Sequence, residues 1–334
     1  MKSRTFIVVA FLLVAGFGGA TFLYQLQPSP QPDSPIHVDI ADGASFAEVA
    51  ELLQQQHVIK SSWAFRWMAR LQGADRKIIP GEYAFRDSME PGDLLASLVK
   101  GDVVQHTVTI PEGYSNAQIG SLLEEKGLAD REEFIRATQD PSLIQRLGIH
   151  APTLEGYLFP NTYHFTRHLK TETMIVAMVS QFEQAWTAKY RARAAELQMS
   201  VHQVLTLASV VEKETGAARE RGLISGVFHN RLKRKIPLQS DPTVIYALAS
   251  FDGDLRKKDL SIESPYNTYK VRGLPPGPIS NPGSASIHAA LFPVPTNYLY
   301  FVSRNDGSHQ FSSTLAEHNS AVRKFQLSHR RRAS

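Results

Sequence analysis

The sequence predicts an α+β protein in which one N-terminal transmembrane helix precedes a small α+β module and a larger mixed α+β domain. Three observations support this prediction. An apolar run occupies residues 6–24, short strand and helix patterns alternate over residues 36–105, and longer helical patterns with proline-restricted loops fill residues 106–325. We therefore expect two folded domains outside the membrane.

The apolar run is long enough to cross a bilayer. Lys2 and Arg4 precede it, and it extends from Phe6 to Tyr24, interrupted only by glycines and one threonine. A transmembrane helix needs about 20 apolar residues. Positive charge before a span keeps the preceding residues in the cytoplasm, so we expect residues 1–5 to be cytoplasmic and the rest of the chain to lie outside the inner membrane.

A cleavable signal peptide is the alternative interpretation of the same run. Gly18-Gly19-Ala20 resembles the small residues of a cleavage site, but large apolar side chains continue from Phe22 to Tyr24. Signal peptides have a shorter apolar core that ends in small residues. The pattern favours a retained anchor.

Composition excludes several classes of function. The chain has 334 residues, a net charge of +4 and no cysteine. Part of that charge lies in a basic tail, residues 326–334, so a nucleic-acid-binding face is not indicated. The lack of cysteine excludes disulfides, thiol nucleophiles and cysteine metal sites.

Frequent prolines over residues 25–35 predict an extended linker between the anchor and the module. Two similar patterns follow about 70 residues apart, at Val38–Leu53 and Val108–Leu123, and each predicts a strand, a glycine turn and an amphipathic helix. Between them, Gly81–Phe85 predicts a strand and Met89–Val99 a helix that ends at Gly101.

Two segments in the middle of the chain have less specific patterns. Glu155–Tyr163 is rich in aromatic residues, which suit either a sugar cleft or a packed loop. One long helix is predicted over about Glu172–Leu197.

A buried helix is predicted to begin at Ser200, which forms a capping-box pattern with Gln203. Apolar residues recur at helical spacing up to Val211, and Gly216 is a natural stop. The last turn therefore contains Glu212 and Glu214.

These two glutamates lie about 200° apart around the helix, so they are not expected to act as a pair. Glu212 falls within the apolar stripe, where it needs a fixed partner such as an arginine, and a structural role is favoured. Glu214 falls on the flank of the stripe, where a carboxyl can be desolvated and still face a cleft. A general acid in glycoside chemistry needs that combination.

Proline-restricted loops after this helix contain side chains of the types that bind a polar sugar. Gln239, Asn267, Tyr266 and Tyr269 offer donors, acceptors and stacking faces. Asp241 is expected to bind substrate together with these residues. It is also a candidate second carboxylate, which would make hydrolysis plausible, but its position before proline suits a turn cap at least as well.

Several motifs together resemble the endolytic murein transglycosylase family, the YceG-like proteins. The resemblance covers roughly residues 36–325 in collinear order. The motifs are Leu207–Thr215, Leu238–Tyr246, Tyr266–Tyr269, Gly273–Pro278, Tyr298–Val302 and Glu317–Asn319. One departure is Ser240, where the family often has threonine, and the hydroxyl is retained.

The resemblance implies the functional details. The small module is expected to be LysM-like, Glu214 is expected to be catalytic, and the substrate is expected to be the glycan strands of peptidoglycan. The expected reaction breaks the bond between N-acetylmuramic acid and N-acetylglucosamine and leaves 1,6-anhydro ends. No cofactor or metal is implied. The resemblance also implies peptidoglycan synthases (penicillin-binding proteins) as partners and a periplasmic catalytic domain.

Other classes of function stay open on the sequence alone. A metal hydrolase would use His288, His309, Glu317 and His318, but these residues lack metal-ligand spacing. A non-catalytic wall-binding regulator of synthesis would need Glu214 only for structure. A hydrolytic muramidase would differ from a transglycosylase in its products alone.

Overall fold

The computed structural model describes residues 2–29, 34–86 and 89–327. The chain divides into a smaller unit, up to Thr107 together with His164–Leu169, and a larger unit, Val108–Tyr163 together with the residues from Lys170 onward. Both contain helices and short strands, so the predicted α+β class is confirmed. Residues 30–33 of the predicted linker and 328–334 of the predicted basic tail lie outside the described residues.

The N-terminal helix α1 (Lys2–Gln25) contains the predicted span. Its segment Ile7–Gln25 has 19 residues and none of them is buried inside the protein. At 1.5 Å per residue this segment is about 28 Å long, close to the thickness of a bilayer's hydrocarbon core. The helix fits a single-pass anchor, and a signal sequence has the same length and composition.

The smaller unit is built around one antiparallel strand pair. Strand β1 (Ile36–Ile40) pairs with β2 (Gly81–Phe85), so that Ile36 lies opposite Phe85. Helices α2 (Phe46–Gln55), α3 (Ser62–Leu71) and α4 (Pro91–Lys100) complete the unit. The predicted strand and helix are confirmed, and α4 ends at Gly101, whose φ of +74° favours glycine. The core contains Val38, Ile40, Leu53, Phe65, Tyr83 and Leu94.

The two similar sequence patterns form the same local structure. After β1, Gly43 turns the chain with φ +78° and Ser45 caps α2 through a capping box with Glu48. After β3 (His106–Thr109), Gly113 turns the chain with φ +77° and Ser115 caps α5 (Asn116–Glu125) through a capping box with Gln118. Both predictions of a strand, a glycine turn and a helix are confirmed.

The larger unit is mostly helical. Its further α-helices and strands, with β4 shared between the two units, are α6 (Arg131–Ala137), α7 (Pro141–Arg146), β4 (Thr162–Phe165), α8 (Thr171–Ala185), α9 (Ala188–Glu196), α10 (Val201–Glu214), α11 (Arg221–Lys233), α12 (Asp241–Ala247), α13 (Ser284–Leu291), β5 (Tyr300–Ser303), β6 (His309–Ser312) and α14 (Leu315–Val322). Strands β3 and β4 form one two-stranded sheet, and β5 and β6 form another.

The prediction of one helix over Glu172–Leu197 was wrong. The chain forms α8 and α9, and Trp186 between them leaves the helical conformation with ψ +75°. Thr187 then caps α9 by accepting a hydrogen bond from the Tyr190 amide. The apolar periodicity continues across the break, which explains why the sequence pattern did not reveal it.

Helix α10 is the centre of the larger unit. Every residue from Val204 to Val211 is buried, and α11 and α13 pack against the helix. A helix that is apolar on all sides needs neighbours all round. The predicted buried helix is confirmed, and its C-terminal end brings Glu212 and Glu214 to the edge of this core.

Candidate active site

Glu214 is the last residue of α10. The predicted capping box fixes the start of this helix, because the Ser200 amide donates to Gln203 Oε1 at 2.9 Å and the Gln203 amide donates to Ser200 Oγ at 3.2 Å. The helix ends when Thr215 adopts an extended conformation, one residue before the expected stop at Gly216. Glu214 is half-buried, so its carboxyl is enclosed by protein while part of the side chain stays accessible.

The surroundings of Glu214 keep its carboxyl protonated at higher pH than usual. With all of its neighbours Glu214 has a pKa of about 7, raised mainly by burial and also by the negative charge of Asp241. Ser240 Oγ donates a hydrogen bond to Glu214 Oε1 at 2.6 Å, and this bond lowers the pKa, as does the positive charge of Arg231. A carboxyl with a pKa near neutral pH can both donate and accept a proton.

The loop that provides Ser240 is fixed by Thr268. The amides of Gln239 and Ser240 donate to the backbone oxygen and to Oγ1 of Thr268, each at 3.0 Å. Thr243 Oγ1 lies 2.8 Å from Thr268 Oγ1 and donates to the Ser240 carbonyl at 2.7 Å. Two sequence motifs that are far apart in the chain therefore meet beside Glu214.

Asp241 is the first residue of α12, and Ser240 is the N-cap residue of that helix. Asp241 Oδ1 accepts a hydrogen bond from the Tyr269 hydroxyl at 2.6 Å. Burial raises the pKa of Tyr269 above its usual range, and the bond to Asp241 adds to this, so the hydroxyl stays a donor. The structure thus places Glu214, Asp241 and Tyr269 in one charged cluster.

The other expected binding residues differ in accessibility. Gln239 is exposed and has a φ of +50°, a left-handed conformation that is uncommon for a residue with a side chain. Tyr266 is half-buried, with its ring 5.0 Å from that of Tyr246. Asn267 is fully buried, and its Nδ2 donates to the carbonyls of Leu260 and Ile262. Asn267 therefore holds its own loop in place.

Glu212 has the arginine partner that its position in the apolar stripe predicted. Its Oε1 lies 3.3 Å from Arg221 Nη2, and its Oε2 accepts from the Gly283 amide at 3.0 Å. The Glu212 side chain is only 8% exposed. Its contacts join α10 to α11 and to the start of α13, which is a structural role.

Comparison with known proteins agrees with this arrangement of motifs. A model of the YceG-like family matches residues 38–324. The chain belongs to the YceG-like family. The resemblance drawn from the sequence motifs is thereby confirmed.

Relatives of this YceG-like chain include named enzymes. The endolytic murein transglycosylase of Bacillus subtilis (strain 168) is 36% identical over an alignment that covers 92% of this chain and 90% of that protein. The endolytic murein transglycosylase of Streptococcus pneumoniae serotype 2 is 31% identical over an alignment that covers 95% of this chain and 64% of that protein.

A crystal structure shows a similar fold. The yceG-like protein of Listeria monocytogenes is 35% identical, and its structure superposes with a TM-score of 0.60. The superposition covers 86% of this chain and 99% of the other.

Sequence reasoning missed the role of Arg231 in this YceG-like chain. The residue is buried on α11, where its Nε donates to the Leu299 carbonyl and its Nη1 to the Leu238 carbonyl, both at 2.6 Å. It thereby holds the start of the loop that contains Ser240. Arg231 follows Val227 by four residues and Phe228 by three, which places it on the same buried face of α11. This spacing was the sequence signal that could have identified it.

A second glutamate with a raised pKa lies in the interior. Glu155 accepts hydrogen bonds from the Asn116 amide at 3.1 Å, from Asn281 Nδ2 at 3.3 Å and from the Tyr246 hydroxyl at 3.2 Å. Burial raises the pKa of Glu155 to about 8. Residues 154–160 around it are all buried, so this aromatic segment is a packed loop.

The histidines considered for a metal site have other partners. His309 Nδ1 lies 2.8 Å from Glu220 Oε2, His318 stacks on Tyr300, and His288 stacks on Phe292. Within residues 2–29, 34–86 and 89–327, no three or more histidine, aspartate or glutamate side chains are grouped in a way that could hold a metal ion.

Proposed function

We propose that this YceG-like chain is an endolytic lytic transglycosylase of peptidoglycan, with Glu214 as its single acid and base. The observation that supports this most directly is the environment of Glu214, a half-buried carboxyl with a pKa of about 7 at the end of a buried helix. The relatives named endolytic murein transglycosylase support the substrate and the type of reaction.

In the first step, protonated Glu214 donates its proton to the glycosidic oxygen between N-acetylmuramic acid and N-acetylglucosamine. The bond from muramic C1 to that oxygen breaks, and the N-acetylglucosamine leaves with a new hydroxyl. In the second step, the Glu214 carboxylate accepts the proton of the muramic C6 hydroxyl, whose oxygen attacks C1. A 1,6-anhydro ring forms, water is not consumed, and Glu214 regains its proton.

The neighbours of Glu214 suit this alternation. Burial favours the neutral acid that the first step needs, and the hydrogen bond from Ser240 stabilises the carboxylate that the first step produces. The nucleophile belongs to the substrate, so it is already close to C1 and gains from proximity. One carboxyl group is therefore sufficient, whereas ordinary glycosidases use two.

The accessible polar side chains beside Glu214 bind the sugar in this proposal. Gln239 offers an amide at the surface, Tyr269 offers a ring and a hydroxyl, and Tyr266 offers a ring edge. Asn267 acts indirectly, because its buried amide fixes the loop between the two tyrosines. Asp241 orients Tyr269 and adds negative charge beside the reacting sugar.

The cellular setting follows from the anchor. Helix α1 stays in the inner membrane, the rest of the chain is periplasmic, and the smaller unit is a LysM-like module. An anchored enzyme of this kind reaches strands as they emerge, so peptidoglycan synthases are the expected partners.

The products of cleavage test this proposal. The full chain is incubated with purified glycan strands in ¹⁸O-labelled water, and the new ends are analysed by mass spectrometry. We expect unlabelled anhydro ends that are absent with Glu214→Gln. Labelled reducing ends would instead indicate a hydrolytic muramidase with Asp241 as the second carboxylate.

Equal products from the native chain and from Glu214→Gln would overturn the assignment of Glu214. A wall-binding regulator without catalysis predicts no new ends from either protein.

A further inference from the structure

Helix α3 of the smaller unit has an apolar face that the protein does not cover. Trp63 is 59% exposed, Trp67 45% and Leu71 77%. These residues follow one another at intervals of four, so they lie within an arc of about 80°. The opposite face, which includes Ala64, Phe65 and Ala69, is buried in the core of the unit.

Two arginines flank this stripe of Trp63, Trp67 and Leu71. Arg66 and Arg70 are exposed and line a pocket of about 290 Å³ together with both tryptophans. The Arg70 guanidinium lies 5.8 Å from the centre of the Trp67 ring. Asp75 also lines this pocket, which leaves the two arginines in excess, and neither has a carboxylate within ion-pair distance in the part of the chain that the structure describes. The face therefore combines exposed aromatic rings with unpaired positive charge.

The stripe lies beside the outer end of α1. The ring of Phe22 contacts the ring of Trp63 edge to face, at 5.8 Å between centroids, and Lys60 Nζ lies 4.8 Å from the centre of the Tyr24 ring. Phe22 and Tyr24 belong to the last turn of the segment Ile7–Gln25, whose length of about 28 Å matches the hydrocarbon core. A side chain that contacts this turn lies at the depth of the lipid headgroups.

We propose that α3 docks on the outer surface of the phospholipid bilayer that α1 spans. Trp63 and Trp67 insert at the level of the headgroups, Leu71 reaches the acyl chains, and Arg66 and Arg70 bind lipid phosphates. Tryptophan prefers the membrane interface, and basic side chains add electrostatic attraction to lipid anions. This docking rests on the proposal that α1 is a retained anchor.

Exposed tryptophans also stack on sugars, so the face of α3 could serve glycan strands. The contact of Trp63 with the end of α1 favours the bilayer, because that contact fixes the depth of the stripe.

Tryptophan fluorescence tests the proposal in the full chain. The protein has three tryptophans, so Trp186→Phe leaves only Trp63 and Trp67 as reporters. This variant is reconstituted in vesicles of phospholipids brominated near the headgroup end of the acyl chain, and in matched vesicles without bromine. We expect the brominated lipid to quench emission at least twofold and acrylamide in the water to quench it weakly.

If Trp186→Phe folds poorly, the native chain is compared with the variants Trp63→Phe and Trp67→Phe, each of which keeps Trp186. The part of the quenching by brominated lipid that is lost in these variants then belongs to Trp63 and Trp67. Emission that brominated lipid leaves unchanged, with free access of acrylamide, would overturn the docking. Emission that responds to added glycan strands instead would assign the face to the glycan.

A flotation control separates this inference from the proposals on which it rests. If the chain floats with carbonate-washed vesicles but brominated lipid does not quench it, the proposal of a retained anchor stands and the docking of α3 is refuted. A chain that does not float at all refutes both. Trp63→Ser with Trp67→Ser should still cleave soluble glycan strands at the native rate, because neither residue belongs to the site at Glu214.

Discussion

The two glutamates in the last turn of α10 have opposite surroundings. Glu212 meets Arg221 and the Gly283 amide, so its charge is neutralised inside the protein. Glu214 meets one neutral donor, Ser240, and lies near the charges of Asp241 and Arg231, which oppose each other, so burial dominates and raises its pKa to about 7. The same residue type at two positions of one helix thus gives a structural ion pair on one face and a proton donor on the other.

This difference shows that burial alone does not make a catalytic carboxyl. Glu155 is more deeply buried than Glu214 and has a pKa of about 8, yet three donors surround it and it is only 6% exposed. A general acid needs a raised pKa together with access for the substrate. Of the three glutamates, only Glu214 combines the two.

The largest effect is expected for Glu214→Gln. Removal of the acid and base should lower the rate of anhydro-end formation about 1000-fold, because general acid–base catalysis typically contributes 10²–10⁴-fold. The free energy of unfolding at pH 7 should not fall and should rise by up to about 3 kcal/mol, because the native carboxyl keeps a proton at a pH where the unfolded chain's glutamate has lost it. Initial rates on purified strands and urea denaturation measure the two quantities. A rate within tenfold of the native chain would contradict the role of Glu214.

The pH dependence of stability should reveal Glu155. Its folded pKa of about 8 lies above the usual 4.5, so the folded protein keeps a proton that the unfolded chain loses. The stabilisation is complete below pH 4.5 and is lost progressively as the pH rises to about 8, by roughly 5 kcal/mol in all. We expect Glu155→Gln to remove most of this slope in urea denaturation and to keep anhydro-end formation. An unchanged slope would mean that Glu155 is ionised in the folded protein.

Glu212→Gln should have the opposite signature to Glu214→Gln. Loss of the ion pair leaves Arg221 without its carboxylate, and we expect the free energy of unfolding to fall by about 2 kcal/mol. The rate per folded molecule should stay within a few-fold of the native value. A large loss of rate in a fully folded Glu212→Gln protein would show that the two faces of the helix are not separate in function.

The smallest effects are opposite shifts of the pH profile. Activity depends on protonated Glu214, so kcat/KM should fall as the pH rises through about 7. Ser240→Ala removes a hydrogen bond that favours the carboxylate form of Glu214. The pH at which kcat/KM falls should therefore rise by about 1 unit. Asp241→Asn removes a negative charge beside Glu214, so the pH at which kcat/KM falls should decrease by about half a unit.

Tyr269→Phe is the matched control for these shifts, because it removes the hydroxyl bonded to Asp241 and keeps the charge. Shifts in the same direction for Ser240→Ala and Asp241→Asn would contradict the electrostatic description of the site.

Much of the fold follows from local sequence signals. The capping box at Ser200 and the glycine turns at Gly43 and Gly113 were predicted, because each depends only on neighbouring residues. The capping boxes at Ser45 and Ser115 lie in the two repeated patterns, where a helix was predicted after each turn. The break at Trp186 was not predicted, because the apolar spacing continues through it and the competing cap at Thr187 is a weak signal.

The site was predictable in its residues and less so in its contacts. The position of Glu214 on the flank of the stripe and the partner of Glu212 follow from helix geometry. The bond from Ser240, the anchoring of its loop by Thr268 and the support from Arg231 depend on residues that are distant in the chain. Such contacts appear only when the tertiary structure brings loops together.

The proton on Glu214 at neutral pH is the central claim, and it can be observed directly. Carboxyl ¹³C resonances of glutamate-labelled protein, recorded between pH 4 and 9 for the native chain and for Glu214→Gln, identify the titration of this one group. We expect one resonance that titrates near pH 7 in the native chain and is missing in the variant. If the missing resonance titrates below pH 5, Glu214 is already a carboxylate at neutral pH and cannot be the acid.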